Sequence, residues 1–188
     1  MRRPRRPRGF TLIELMVTLA IAAILMFLAI PSFVSYQKNT QLTSAANSLL
    51  AAINAARGEA MKRGMNAMVV ESTGNGSDWT QGWVVFVDKN NDREYINTDD
   101  ITVLTQTKVP SGISITGTGI AAETPAYIMF DASGYSKKKN GFAGNLTISF
   151  VREGVAAADG YRQTRKIKIA STGRIRMCTP KSASDEDC

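Results

Sequence analysis

The chain carries a long apolar run close to its N-terminus. Between Phe10 and Ile30 the only strongly polar side chain is Glu14. A helix of that length, rising about 1.5 Å per residue, extends roughly 30 Å, which is the thickness of the hydrocarbon core of a bilayer. The pattern therefore predicts a helix that can span a membrane.

Residues 32–64 show the spacing of an amphipathic helix. Small or apolar side chains recur there at alternating steps of four and three: Leu42, Ala46, Leu49, Ile53, Ala56 and Ala60. This spacing places them on one face, which we expect to be buried. Lys62, Arg63 and Gly64 are typical of a helix C-terminus, so the predicted helix ends there.

After Gly64 the pattern changes to short runs that are typical of β-strands, and Gly, Asn, Asp or Pro separates most of them. The predicted strands are 66–71, 83–88, 101–107, 113–116, 127–131, 146–151, 165–170 and 174–178. An antiparallel sheet packed on the C-terminal half of the long helix would bury the apolar faces of both. We therefore predict an α+β fold, with one β-rich globular domain over residues 65–188.

Glu14 requires an explanation, because an acidic side chain inside lipid costs about 2.5–3.5 kcal/mol unless it has a partner. Cleavage after Gly9 would remove residues 1–9 as a leader and give Phe10 a free α-amino group. Glu14 of a neighbouring subunit could pair with that group and hold a filament together. The alternatives are an ordinary secretory signal, which usually has a shorter apolar region without an acid, and an uncleaved anchor.

Residues 8–15, RGFTLIEL, resemble the signal of type IV prepilins and type II secretion pseudopilins. The resemblance implies that a prepilin peptidase cuts after Gly9 and methylates Phe10, and that Glu14 guides assembly. It also implies a type IV pilin-like fold with residues 10–31 as the membrane-spanning assembly helix. The partners would be the inner membrane and other major and minor pilins, with the globular domain in the periplasm and then on the surface pilus.

Residues 78–88, DWTQGWVVFVD, and the polar residues that follow resemble a signature of the FimT/GspH subfamily of minor pilins. From the residues alone, Trp79 and Trp83 are best interpreted as hydrophobic anchors of the core, with a ligand platform as the alternative. Residues 88–94 are spaced like the start of a calcium loop, but Arg93 stands where glycine is needed. We predict a solvated hairpin turn there.

No residue pattern predicts catalysis, a cofactor or a metal site. The chain has no His and only two Cys, and it lacks the nucleophile-elbow and phosphate-loop motifs. Residues 117–122 formally fit a dinucleotide-binding glycine pattern, but no predicted helix follows, so we interpret them as a loop. The sequence thus predicts a protein that is not an enzyme.

The two cysteines, Cys178 and Cys188, enclose a short segment after the last predicted strand. A single pair in an exported protein most simply forms a disulfide, with free thiols as the alternative. A closed loop of that size contributes roughly 2–3 kcal/mol to stability. The disulfide would hold the C-terminal residues against the domain.

Charge is distributed unevenly along the chain. The net charge is +7, but five of the 23 basic residues lie in the leader. From Phe10 to Ser133 there are seven Lys or Arg and eleven Asp or Glu, whereas residues 134–181 contain eleven and two. A basic region of this kind suggests an anionic partner.

The last two predicted strands alternate apolar and basic residues. The alternation directs four basic side chains to solvent: Lys166, Lys168, Arg174 and Arg176. If residues 171–173 form a hairpin loop with Gly173 in the left-handed conformation, Lys168 lies opposite Arg176. Like charges that face each other are unfavourable alone and favourable beside phosphates.

Residues 173–176, GRIR, resemble the G-R-x-R motif of FimT-type minor pilins, which are implicated in DNA capture for natural transformation. The resemblance implies that Arg174 and Arg176 bind the phosphate backbone of DNA. The other candidate contacts are Lys166, Lys168, Arg165, Lys137, Lys138 and Lys139. For Lys137 to Lys139 a merely solvated face is the simpler interpretation. The main alternative is a structural minor pilin or type II secretion pseudopilin that primes or caps a filament, with these residues at a subunit interface.

Overall fold

A computed structural model describes residues 9–73, 76–156, 160–185 and 188. Most of the predicted leader, residues 1–8, lies outside this part of the chain. The chain divides into two compact units, Met1–Lys38 and Asn39–Cys188. The second unit carries the β-strands and the hydrophobic core.

Helix α1 extends over Leu12–Arg63. It begins with a capping box, in which the Glu14 backbone N–H donates to Thr11 Oγ1 at 3.2 Å and the Thr11 N–H donates to the Glu14 carboxylate at 3.0 Å. Most large apolar side chains of the first unit are exposed. Within the described residues, α1 is the one helix with a stretch long and apolar enough to cross a membrane.

The C-terminal half of α1 buries the predicted face. All six expected positions, from Leu42 to Ala60, are 0% exposed, which confirms the prediction from their spacing. The helix ends at Arg63, and Gly64 follows with a φ of +66°. Met65 N–H donates to the Ala60 carbonyl at 3.2 Å, which is the hydrogen bond that closes a helix at a left-handed glycine.

Eight β-strands follow in the described part of the chain. They are β1 (Ala67–Glu71), β2 (Trp83–Val87), β3 (Ile101–Gln106), β4 (Ile113–Gly119), β5 (Tyr127–Phe130), β6 (Leu146–Arg152), β7 (Thr164–Ile169) and β8 (Ile175–Cys178). Each corresponds to a predicted strand with shifted ends. They form two antiparallel four-stranded sheets, in the orders β3-β2-β1-β5 and β4-β6-β7-β8. The sequence predicted a single sheet.

Both tryptophans belong to the core between helix and sheets. Trp79 and Trp83 are each 1% exposed, which confirms that they are hydrophobic anchors. The Trp79 indole N–H donates to the Ala121 carbonyl at 3.1 Å, so its polar atom is satisfied inside the core.

The connection between β2 and β3 is a polar hairpin loop, but it is less solvated than predicted. Asp88 is 2% and Asp100 9% exposed. Their carboxylates accept backbone N–H groups, as in the bond from Arg93 N to Asp88 Oδ2 at 3.1 Å. Burial raises the pKa of Asp88. No metal-binding group of acidic, Cys or His residues occurs among the residues described.

Candidate nucleic-acid interface

The hairpin of β7 and β8 has the predicted register. Lys168 lies opposite Arg176, and Ile169 lies opposite Ile175. The loop closes through the bond from Ala170 N–H to the Arg174 carbonyl, at 3.0 Å. Gly173 has a φ of +78°, which is the left-handed conformation expected of it.

Two further strands extend this basic edge into a polar row. In register across the sheet, Thr118 of β4 pairs with Thr147 of β6, Thr147 with Lys168, and Lys168 with Arg176. Side chains alternate between the two faces of a strand, so these four share the face opposite the core. On the inner face, Ile167 is 0% exposed.

The polar row lies in a surface groove of about 590 Å³, which we name the basic groove. The lining residues that matter here are Thr118, Asn145, Thr147, Lys168, Arg174 and Arg176. Arg174 and Arg176 are exposed, and Lys168 is half-buried. The fold thus brings together three of the basic residues predicted from the sequence.

The uncharged side of the groove was missed by the sequence interpretation. Gly117 to Gly119 belong to β4, so the expectation of a loop at this point was wrong. Thr116 and Thr118 continue the alternation of β4, and this period of two is the signal that could have extended the predicted strand. Gly119 has a φ of +62°, which L side chains rarely adopt.

The loop that precedes β8 packs against Gly134, whose carbonyl is hydrogen-bonded to α1. A Cβ at Gly173 would lie 3.0 Å from the Gly134 carbonyl carbon and closer still to its oxygen. Arg57 of α1 donates from Nε to the same oxygen at 3.1 Å. Position 173 therefore requires glycine for two reasons: its backbone is left-handed, and the Gly134 carbonyl occupies the space that a Cβ would need.

Arg165 lies on the other face of the sheet. It stands opposite Phe150, and its guanidinium donates to Asn39 Oδ1 at 2.9 Å and to the Thr164 carbonyl at 2.9 Å. Burial lowers its pKa. Arg165 is one residue out of phase with Lys166 and Lys168, so the strand period directs it away from the basic groove.

Lys166 is directed to the C-terminal loop rather than to the groove. It lies opposite Cys178 and donates from Nζ to the Asp185 carbonyl at 3.4 Å. Cys178 and Cys188 form the predicted disulfide, with their Cα atoms 5.6 Å apart. The Asp185 carboxylate accepts the backbone N–H of Lys181 at 2.8 Å, which connects two described residues of this loop.

Lys137, Lys138 and Lys139 lie outside the lining of the groove, on a neighbouring loop. Lys137 forms an ion pair with Asp131 at 3.6 Å, and the Lys139 ammonium is 5.3 Å from the centroid of the Tyr127 ring. Burial raises the pKa of Tyr127. These contacts give two of the lysines structural partners within the domain.

The described residues of the predicted processing site are exposed. Gly9 and Phe10 precede the first turn of α1, and Phe10 is 87% exposed. Glu14 is also exposed, and its carboxylate accepts a hydrogen bond from Thr11.

Comparison with protein-family models gives two matches. Residues 45–181 match type II transport protein GspH. The chain belongs to the GspH family. Residues 4–30 match the prokaryotic N-terminal methylation motif, so this GspH-family member has the N-terminus of a type IV pilin-like protein. Together with the membrane-length apolar helix, the motif indicates a membrane-anchored subunit of a pilus or pseudopilus.

Solved structures confirm the pilin-like fold of this GspH-family chain. The type IV minor pilin FimU of Pseudomonas aeruginosa superimposes with a TM-score of 0.55 at 17% identity, covering 79% of this chain and 98% of FimU. The minor pseudopilin EpsH of the Vibrio cholerae type 2 secretion system gives 0.52 at 14% identity, covering 76% and 99%. No curated protein sequence matches the chain.

Proposed function

We propose that this chain is a minor type IV pilin that binds DNA without sequence preference and supports DNA uptake in natural transformation. The observation that carries the proposal is the convergence of Lys168, Arg174 and Arg176 in one groove. Arginine and lysine contacts to phosphates supply most of the affinity in non-specific DNA binding. The Asn145 and Thr147 side chains of the groove are further donors of the kind that contact phosphate and sugar.

The arrangement of the cations favours an anionic ligand over a role in stability. Lys168 and Arg176 are directly opposite each other, where like charges destabilise an antiparallel pair. Arg174 directly precedes β8 and is two residues from Arg176, about 7 Å away along an extended backbone. A chain of phosphates could contact all three groups at once, which supports the backbone of DNA as the ligand.

The N-terminal segment would place the groove outside the cytoplasm. In this proposal a prepilin peptidase cuts after Gly9 and methylates Phe10, and Glu14 pairs with an N-terminal amine of another pilin during assembly. The arginines of the leader favour retention of that end in the cytoplasm, with the domain in the periplasm. Assembly into the pilus would then present the groove on the cell surface.

Binding of a short duplex to the processed chain, residues 10–188, in nonionic detergent tests the proposal, because the five arginines of the leader would bind DNA themselves. Affinity should fall steeply with salt, with a log–log slope of about −2 to −3 for three phosphate contacts. Arg174→Ala with Arg176→Ala should lower affinity at least tenfold at low salt and reduce the slope by about two. Lys89→Ala with Lys108→Ala is a charge-matched control at exposed sites elsewhere. No duplex binding at low salt, or equal losses in both double variants, would refute the proposal.

A structural role in filament initiation or capping is the second candidate, since FimU and EpsH share this fold. The basic groove would then contact an acidic surface of a neighbouring subunit. A deletion strain distinguishes the two roles when transformation is scored beside twitching motility. Loss of transformation with intact motility supports DNA binding, whereas loss of both supports the structural role.

A further inference from the structure

A lysine-rich loop forms the rim of the basic groove at both of its ends. This lysine loop comprises residues 134–144. At its start, the Gly134 carbonyl lies against Gly173 of the arginine hairpin. At its end, the next residue in the chain is Asn145, which lines the groove.

Hydrogen bonds hold the lysine loop in a defined conformation beside the hairpin. Ser136 N–H donates to the Ser171 carbonyl at 3.1 Å, and Gly144 N–H donates to the Ser136 carbonyl at 3.0 Å. At the tip, Lys138 N–H donates to the Phe142 carbonyl at 2.9 Å. Hydrogen bonds within the loop therefore hold the backbone around Phe142.

Two aromatic side chains of this loop are unusually exposed. Tyr135 is 49% and Phe142 72% exposed. Phe142 is three residues from Asn145, so its Cα lies within about 11 Å of a residue that lines the groove. Tyr135 directly follows Gly134, which touches Gly173. Both rings therefore belong to a loop that adjoins the arginine hairpin at its start and the groove lining at its end.

We propose that Tyr135 and Phe142 form a stacking platform for the bases of single-stranded DNA whose phosphates occupy the basic groove. This inference rests on the proposed function and adds a class of ligand to it. Exposed aromatic rings beside a cationic groove are the combination that proteins use to hold single strands, because every base has a face that can stack. The described lining of the groove offers no aromatic side chain of its own.

Charge favours a nucleic acid over a neighbouring protein as the occupant of this rim. Residues 134–144 contain three lysines and no acidic residue. Lys137 is paired with Asp131, and the three lysines together add basic charge beside the groove, so a strand leaving the groove would meet cations and rings in the same loop. In duplex DNA the bases are already stacked on each other, so the platform should act only on unpaired nucleotides.

The test compares three probes of equal length on the processed chain, residues 10–188, in detergent: a thymidine strand, the same strand with abasic residues, and a duplex. Tyr135→Ala with Phe142→Ala should weaken binding of the thymidine strand about tenfold. The affinities of the same variant for the abasic strand and for the duplex should stay within twofold of the wild-type values. Phe142→Trp, which preserves a stacking surface, should retain the affinity for thymidine, and Ile96→Ala serves as an exposed apolar control.

Each outcome bears on the inference. The platform is overturned if the double variant lowers affinity equally for all three probes, or if its affinity for the thymidine strand is unchanged. In either case the proposed function stands as long as the duplex still binds. Failure of wild type to bind any probe overturns both. If the double variant binds all probes normally but is lost from filaments, the rim is a subunit contact and the inference is wrong.

Discussion

Replacement of Gly173 by alanine is the most direct perturbation of the arginine hairpin. The left-handed conformation costs a non-glycine residue about 1–2 kcal/mol. The added Cβ would also lie 3.0 Å from the Gly134 carbonyl carbon and 3.1 Å from Arg57 Nε. Overpacking of this kind typically costs a further 1–3 kcal/mol. We therefore expect Gly173→Ala to lower the free energy of unfolding by about 2–5 kcal/mol.

Gly112→Ala is the matched control. Gly112 has a φ of +85°, but nothing lies within 4 Å of a Cβ built there, so this variant carries only the conformational penalty. Chemical denaturation of both variants, followed by tryptophan fluorescence of the buried Trp79 and Trp83, measures the difference. Gly173→Ala should be the less stable of the two by about 1–3 kcal/mol. If the two variants are equally stable, the contact with Gly134 does not hold the hairpin in place and the reasoning is refuted.

Three other perturbations separate stability from binding. Cys178→Ser with Cys188→Ser should lower the free energy of unfolding by about 2–3 kcal/mol, and reduction of wild type should have the same effect; unchanged denaturation midpoints would contradict this. Arg165→Ala should destabilise by about 1–3 kcal/mol through loss of its bond to Asn39 while duplex affinity stays within twofold; a larger loss of affinity would place Arg165 in the interface. Because the pKa of Asp88 is raised in the folded state, its contribution to stability should be fully present below pH 4 and lost as pH rises through the raised pKa. Asp88→Asn should flatten that part of the stability profile, measured as denaturation midpoint against pH, and an unaltered profile would show that other groups cause it.

The sequence predicted features correctly where the interacting residues are close together in the chain, and less well where they are far apart. The buried face of α1 and the hairpin with Gly173 depend on neighbours a few residues apart, and both were predicted with the correct residues. The two sheets depend on pairing between distant segments, such as β1 with β5, and were not predicted. Arg165 was expected in the basic surface because of its charge alone. Its position in the strand alternation, which places it on the opposite face from Lys166 and Lys168, was not taken into account.

The sequence by itself determined the membrane-length helix, the alternation of β7 and β8, and the charge that these strands carry. Local periodicity and turn conformation are sufficient for these features, because the residues that decide them are adjacent in the chain. Only the tertiary structure decided that β4 and β6 lie beside β7, so that threonines complete the groove, and that the Gly134 carbonyl supports Gly173. Those contacts arise when segments far apart in sequence compete for the same hydrophobic core, and packing of the whole domain selects among the pairings that each strand allows.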